Sequence, residues 1–514
     1  MKQPFTGRLA EATAIFLFLL AVIPLLCLSF YNHPSAADDY CFADTAVRYG
    51  FWSAQNYYYN GWTGRYFSNM LVHANPLVWG WYGGFQLIPV LAVTALISSL
   101  FTLVSELLRD EPIKTRLLST GVLFFLIVLA LQSVVEAFFW TAAIATYTVP
   151  TVLTIYLLAV MLRWYRQPAG WEKRFTAVWA GFLVFASTGS GETNLILLLL
   201  LLLAIAGYRL LFQRTFDPFL VFLVVVALAS AWLLFRAPGN AVRMGGNPNS
   251  GDLVTSMGAS FGWLTRSVGE WLIKTPILPL SVLFWPMARR IARPGSVNAC
   301  LFDLPAGLLT VVYVGLLAAT IFPSYYGIGL PPFARTMNVL FVFFTLGWFF
   351  VLTVWAGRVE RRGQRDSGSA ADVVERRGQR DSVGLAWSES RMTGIPAEAA
   401  RTLVLALTGI WLAGSIAFST SLKQLYTDLL GGGAATYDRE MSERHRLLQS
   451  SADTLRLAPI SVYPPSLFVE DIRPERTHWW NRCQSGYYGH KAIILDSTLS
   501  TALSTPSAVI LSAK

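Results

Sequence analysis

Apolar stretches of about 17–25 residues recur along most of this chain, each long enough to cross a hydrocarbon layer as a helix. Lipid offers no partner to a backbone N–H or C=O, so such segments satisfy themselves internally as helices. The stretches begin near Ala12, Gly84, Ser119, Thr146, Phe175, Thr193, Pro218, Pro276, Leu304, Met337 and Thr402. They predict an all-α polytopic membrane protein of about 11 transmembrane helices. Composition agrees, with 54% of the 514 residues hydrophobic and only 14% charged.

Basic residues set the expected orientation. With the N-terminus inside, alternation assigns Arg109, Lys114, Arg116, Arg163, Arg166, Lys173, Arg174, Arg209, Arg214, Arg289, Arg290 and Arg293 to the cytoplasm, in keeping with the positive-inside rule. The net charge of +10 lies mostly in these loops, so it argues for anionic lipid contact and against nucleic acid. The first stretch reads as a retained span, because Tyr31-Asn32-His33-Pro34 offers no small-x-small cleavage site, although Ser35-Ala36-Ala37 leaves cleavage open. An odd number of spans places everything after about Ser421 outside.

The expected division is a transmembrane domain, residues 1–420, and a small extracytoplasmic α/β domain, residues 421–514. The first outside loop, residues 31–83, is rich in Trp and Tyr and reads as amphipathic helices lying on the membrane. A second outside region, about Arg236 to Thr275, contains a turn cluster at Gly245 to Gly251. Residues 357–401 read as a disordered cytoplasmic loop: Val359 to Ser367 recurs identically from Val374 to Ser382, and the segment is charged and poor in apolar residues. Of the four cysteines, Cys41 and Cys483 both fall outside, where they either pair or stay as two thiols.

Three groups of residues suggest chemistry. Asp38 and Asp39 follow the first span, beside Tyr40; they either cap a helix or act as a base or a cation-binding pair at the outer surface. Arg65, Arg236, Arg243 and Arg335 stand outside against the charge rule. They either anchor headgroups and carboxylates or grip a lipid phosphate, which guanidinium forks match bidentately. Glu192 interrupts two spans in Ser187-Thr188-Gly189-Ser190-Gly191-Glu192; it is either a functional acid or a helix-start acid favoured by the macrodipole. Glu136, where the third span ends, belongs to the same group of span-end acids. No HExxH, Walker loop, GxSxG or CxxC pair occurs, and the five histidines are scattered along the chain, which argues against a His-rich metal site.

An acidic motif in the first outside loop, many spans and a C-terminal outside domain together resemble the GT-C superfamily of membrane glycosyltransferases. Ala37-Asp38-Asp39-Tyr40, Trp62-Thr63-Gly64-Arg65-Tyr66-Phe67-Ser68-Asn69, Ala237-Pro238-Gly239-Asn240 with Arg243, and Tyr487-Tyr488-Gly489 look closer still to an uncharacterised bacterial multi-span family of unknown function. The superfamily resemblance implies sugar transfer from a polyprenyl-phosphate sugar donor to a glycan, lipid or protein acceptor at the periplasmic face of a bacterial inner membrane. By that analogy Asp38 or Asp39 deprotonates the acceptor hydroxyl or helps bind a divalent cation. Tyr40, Arg65, Glu192, Arg236, Asn240, Arg243 and Arg335 line the substrate site, the arginines on the lipid phosphate. The rival readings are an O-antigen polymerase or ligase, which relies on Arg and His, and a lipid or solute transporter, which calls for internal repeats.

Overall fold

The computed structural model describes residues 5–245, 251–377 and 397–499. The turn cluster expected between Gly245 and Gly251 falls outside them except at its two ends, and so does the second copy of the nine-residue repeat beyond Arg377.

Almost everything described is helical. The helices are α1 (Phe5–Ser29), α2 (Asp39–Tyr49), α3 (Phe51–Gly61), α4 (Tyr66–Val72), α5 (Leu87–Leu107), α6 (Ile113–Leu129), α7 (Thr141–Ala143), α8 (Val149–Arg166), α9 (Trp171–Thr188) and α10 (Glu192–Leu211). They continue with α11 (Pro218–Phe235), α12 (Pro238–Gly245), α13 (Leu253–Lys274), α14 (Ile277–Ala292), α15 (Ala306–Ile328), α16 (Ala334–Arg377), α17 (Ala397–Phe418), α18 (Thr420–Leu430), α19 (Gly433–Leu448) and α20 (Trp479–Tyr488). Two short strands, β1 (Thr454–Leu457) and β2 (Ala492–Leu495), pair in parallel with Thr454 opposite Ala492 and Leu457 opposite Leu495.

Among the described residues, 7 helices are long and apolar enough to cross a membrane, or up to 9 if each of two bent pairs is one span. This is a membrane-embedded protein. Both bends have local causes. The α13–α14 pair turns by 78° at Thr275-Pro276, where Thr275 is extended, as the residue before a proline prefers. The α17–α18 pair turns by 56° at Ser419, whose hydroxyl accepts from the Leu422 N–H and caps the new helix. Helix α6 is apolar but only 17 residues long, and α9 opens with Glu172, Lys173 and Arg174. Where a disordered loop was expected from residue 357, α16 carries its helix on to Arg377 through the first copy of the repeat. Its Glu and Arg residues are good helix formers and bring no helix-breaking proline.

Helix α1 packs against α5, α6 and α18, α8 joins α5 to α9, and α10 joins α11 to α15. The main core runs through this bundle around Leu25, Leu100, Phe124, Phe138, Ile155, Phe341 and Leu425. One end of the bundle is tied by Glu106, which pairs with Arg163 and Arg166 beside Asn298. The other end gathers α2–α4, the turn before α10, the start of α16 and the C-terminal unit. That unit has its own small core of Leu448, Leu455, Leu457, Ile472 and Ile493, completed by Ala36 of the first loop. A disulfide between Cys41 and Cys483 fastens α2 to α20.

Candidate functional site

The acid pair stands at the start of α2. Asp38 occupies the cap position, yet its side chain makes no capping hydrogen bond, so helix capping does not account for it. Burial pushes the Asp38 carboxyl up to about 6, with the Arg335 charge holding it back. Asp39 is 1% exposed. Its Oδ2 accepts from the Ser35 N–H at 2.8 Å, while Oδ1 meets no donor in full hydrogen-bond geometry. Burial pushes Asp39 up to about 7; the Ser35 N–H and the nearby Thr141 hydroxyl pull it down, and the Asp38 charge adds to the rise.

Arg65 reaches this end of the bundle through two crossing turns. Gly64 lies so close to Leu234 that a Cβ there would sit 2.0 Å from its carbonyl oxygen. A Cβ on Gly239 would sit 2.5 Å from the Trp62 nitrogen. Asn240 locks the crossing, accepting from the Gly64 N–H at 3.1 Å and donating to the Leu234 carbonyl at 2.7 Å. Asn240 thus positions the turn. Held there, Arg65 donates from Nε to Glu192 at 2.9 Å, and Arg243 approaches the other carboxylate oxygen at 3.8 Å. Arg65 and burial both pull the Arg243 pKa down from its ordinary value, the mark of two like charges crowded together.

Arg335, at the start of α16, donates to Glu136 at 2.7 Å and lies against the rings of Trp140, Tyr147 and Phe333. Tyr147 stands beside the guanidiniums of both Arg65 and Arg335. Three of the four candidate arginines therefore gather around Tyr147 with two glutamates, and Asp38 faces Arg335 as well. Arg236 does not join them: at the end of α11 it folds back over the Trp232 ring at 4.3 Å, one helical turn away.

A narrow cleft meets this cluster. Leu96, Ile127, Leu131, Val339 and Val342 form its apolar wall, and Glu136, Tyr147, Thr148, Thr151, Arg335 and Asn338 its polar end. The cleft thus sets an apolar wall beside a guanidinium.

Tyr40 belongs to a different assembly. Buried at 1% exposure, it meets the Tyr488 hydroxyl at 3.4 Å, and Tyr488 meets His445 Nδ1 at 2.8 Å. The His445 ring stacks on Tyr82 with centroids 3.7 Å apart, and Tyr82 meets His33 Nδ1 at 3.0 Å; His33 Nε2 reaches Asp438 at 2.9 Å. Histidines scattered in sequence are thus joined in space, a grouping that distance along the chain hid.

The acid pair offers a cation only two carboxylates, one oxygen of which already accepts from Ser35. Among the described residues no three of His, Cys, Asp and Glu gather in metal-ligand fashion. Asp38 and Asp39 would hold a cation only together with phosphate or water oxygens. No family model matches the chain, and no curated protein matches it.

Proposed function

We propose that the protein is a membrane glycosyltransferase of the GT-C kind, moving a sugar from a polyprenyl-phosphate donor to a cell-envelope glycan, lipid or protein acceptor. The observation that carries this reading is Arg335 at the polar end of an apolar cleft, with Arg65 and Arg243 gathered behind it around Tyr147 and with Asp38 and the buried Asp39 close by. The prenyl chain lies along the apolar wall, and the phosphate meets the guanidinium groups. The acceptor oxygen attacks the anomeric carbon while the bond from that carbon to the phosphate oxygen breaks. The proton of the acceptor hydroxyl passes to the Asp39 carboxylate, and the guanidiniums hold the charge that develops on the leaving phosphate. Asp38 keeps a second negative charge beside Asp39 and so raises its basicity.

In this reading α6, α9, α14 and α17 each cross the membrane, giving eleven spans in a bacterial inner membrane. The N-terminus is then cytoplasmic, and the cluster and C-terminal unit are periplasmic. A disulfide joining α2 to α20 supports an oxidising compartment for that end. An O-antigen polymerase or ligase is the second reading, favoured by the joining of His33 and His445 through Tyr82.

The test uses the purified full chain with a polyprenyl-phosphate sugar. Asp39→Asn is expected to lower transfer by about 10²–10⁴-fold while leaving polyprenyl-phosphate binding intact, and Arg335→Gln to weaken that binding. Full activity in Asp38→Asn, Asp39→Asn and the double variant would rule out carboxylate catalysis. Loss of activity in His445→Ala alone would favour the polymerase or ligase.

A further inference from the structure

The stretch between α6 and α8 is irregular for a reason the steps above do not use. Two π-helical turns, Val135–Phe139 and Ile144–Thr148, flank α7. Such turns break the regular hydrogen-bond ladder and are frequent at functional sites. The segment is nonetheless firmly built. Asn338 accepts from the Gln132 N–H and donates to the Ser133 carbonyl, both at 2.8 Å, and the Thr148 hydroxyl donates to the Ala137 carbonyl at 2.6 Å.

Buried side-chain atoms outside full hydrogen-bond geometry collect along it: Glu136 Oε2 and Trp140 Nε1, and the Thr141 hydroxyl, which faces the Asp39 carboxyl closely enough to lower its pKa. They share one locality. The Thr141 hydroxyl lies beside the Asp39 carboxyl, the Trp140 ring lies 5.5 Å from the Arg335 guanidinium, and Arg335 bonds Glu136. Buried polar atoms are mostly paired, and a carboxylate oxygen and an indole N–H left over in one irregular segment, next to the Thr141–Asp39 contact, point to a ligand that supplies partners. Their chemistry specifies that ligand. The carboxylate oxygens only accept, the indole N–H only donates, and the threonine hydroxyl does either. A hydroxyl group, which donates one bond and accepts others, completes each of them.

We propose that Glu136, Trp140 and Thr141, together with Asp39, form a binding site for the hydroxyl groups of a polyhydroxylated ligand such as a sugar. This deepens the glycosyltransferase reading and rests on it for one point, that the ligand held there is the acceptor. A hydroxyl seated beside the Thr141–Asp39 contact donates its proton toward the Asp39 carboxylate and accepts from the Thr141 hydroxyl, while Trp140 and Glu136 hold a neighbouring hydroxyl and fix which one reacts.

The test is saturation-transfer NMR on the full chain in nanodiscs, with methyl α-glucoside, methyl α-mannoside, methyl α-galactoside and myo-inositol as probes. At least one probe is expected to give a signal in the wild type, with affinity about fivefold to tenfold weaker in Trp140→Phe and in Thr141→Val, each variant having lost one hydrogen bond. Both substitutions keep ring or branch shape, and the Cys41–Cys483 bond reports on folding; if one variant misfolds, the other decides. No signal from any probe, or signals unchanged in both variants, overturns the proposal and leaves ordered water as the only occupant. Polyprenyl-phosphate binding, measured in parallel, separates the two readings. Polyol binding that depends on Trp140 and Thr141, without phosphate binding, sustains this site and sinks the glycosyltransferase. Phosphate binding without polyol binding does the reverse.

Discussion

Burial gives Asp39 two properties that oppose one another: it strengthens the carboxylate as a base and penalises the folded state for carrying its charge. A carboxyl whose folded pKa is about 7, above its ordinary 3.8, binds more protons folded than unfolded at intermediate pH. Its contribution to stability is therefore whole below about pH 4 and is lost as the pH rises through about 7. Asp39→Asn should raise thermal stability at pH 8, by on the order of a few kcal/mol at most, and change it little at pH 4. A melting series showing destabilisation at pH 8 would contradict the burial argument. Catalysis should follow the opposite course, since a base works only when deprotonated. Transfer should climb with pH to a plateau, with an apparent pKa near 7 that belongs to the coupled Asp38–Asp39 pair. A flat rate profile from pH 5 to 9 would exclude either carboxylate as the base.

The crossing of the Trp62–Arg65 turn over the Ala237–Asn240 turn places Arg65 without touching any ligand. Gly64→Ala forces the two backbones apart, because its Cβ would lie 2.0 Å from the Leu234 carbonyl oxygen. Overpacking of this kind costs about 1–3 kcal/mol. It should also withdraw Arg65 from Glu192, so polyprenyl-phosphate binding should fall together with stability. Unchanged binding in a folded Gly64→Ala protein would show that Arg65 does not hold the phosphate. The sequence displayed both Gly-containing motifs but not their crossing, since Gly64 and Asn240 lie 176 residues apart. The acid pair was legible because only 14% of the residues are charged and two adjacent acids follow an apolar span. The partners of the arginines were not, with Arg65 and Glu192 separated by 127 residues and Arg335 and Glu136 by 199. Arg236 read like its three neighbours in composition. Only the helical position of Trp232, one turn back, turned it away. Thr141 and Trp140 gave no signal at all, because a hydroxyl facing a carboxyl or an orphaned indole N–H exists only once the surrounding packing is known.

The molecule has two tied ends, and their difference in chemistry fixes its expected orientation. One end is held by Glu106, Arg163, Arg166 and Asn298, where loss of one partner strands a charge in a half-buried network. The other is held by Cys41–Cys483, which spans 442 residues of sequence and joins the first loop to the last helix. Removing that bond with Cys41→Ser should cost about 2–4 kcal/mol of stability and slow the protein on a non-reducing gel. Because α2 carries Asp39 and α20 carries Tyr488, it should also loosen the acid pair and lower transfer. Orientation can be read from the remaining thiols. Cys300 is exposed in the loop between α14 and α15, near Arg289 and Arg290, whereas Cys27 lies within α1. The proposed topology puts Cys300 in the cytoplasm. A membrane-impermeant maleimide should therefore label it in inverted vesicles and leave it untouched in intact spheroplasts, while Cys41 and Cys483 should become reactive in spheroplasts only after reduction. Labelling of Cys300 in spheroplasts would invert the bundle, set the arginine cluster facing the cytoplasm, and remove the periplasmic lipid-linked donor from the argument.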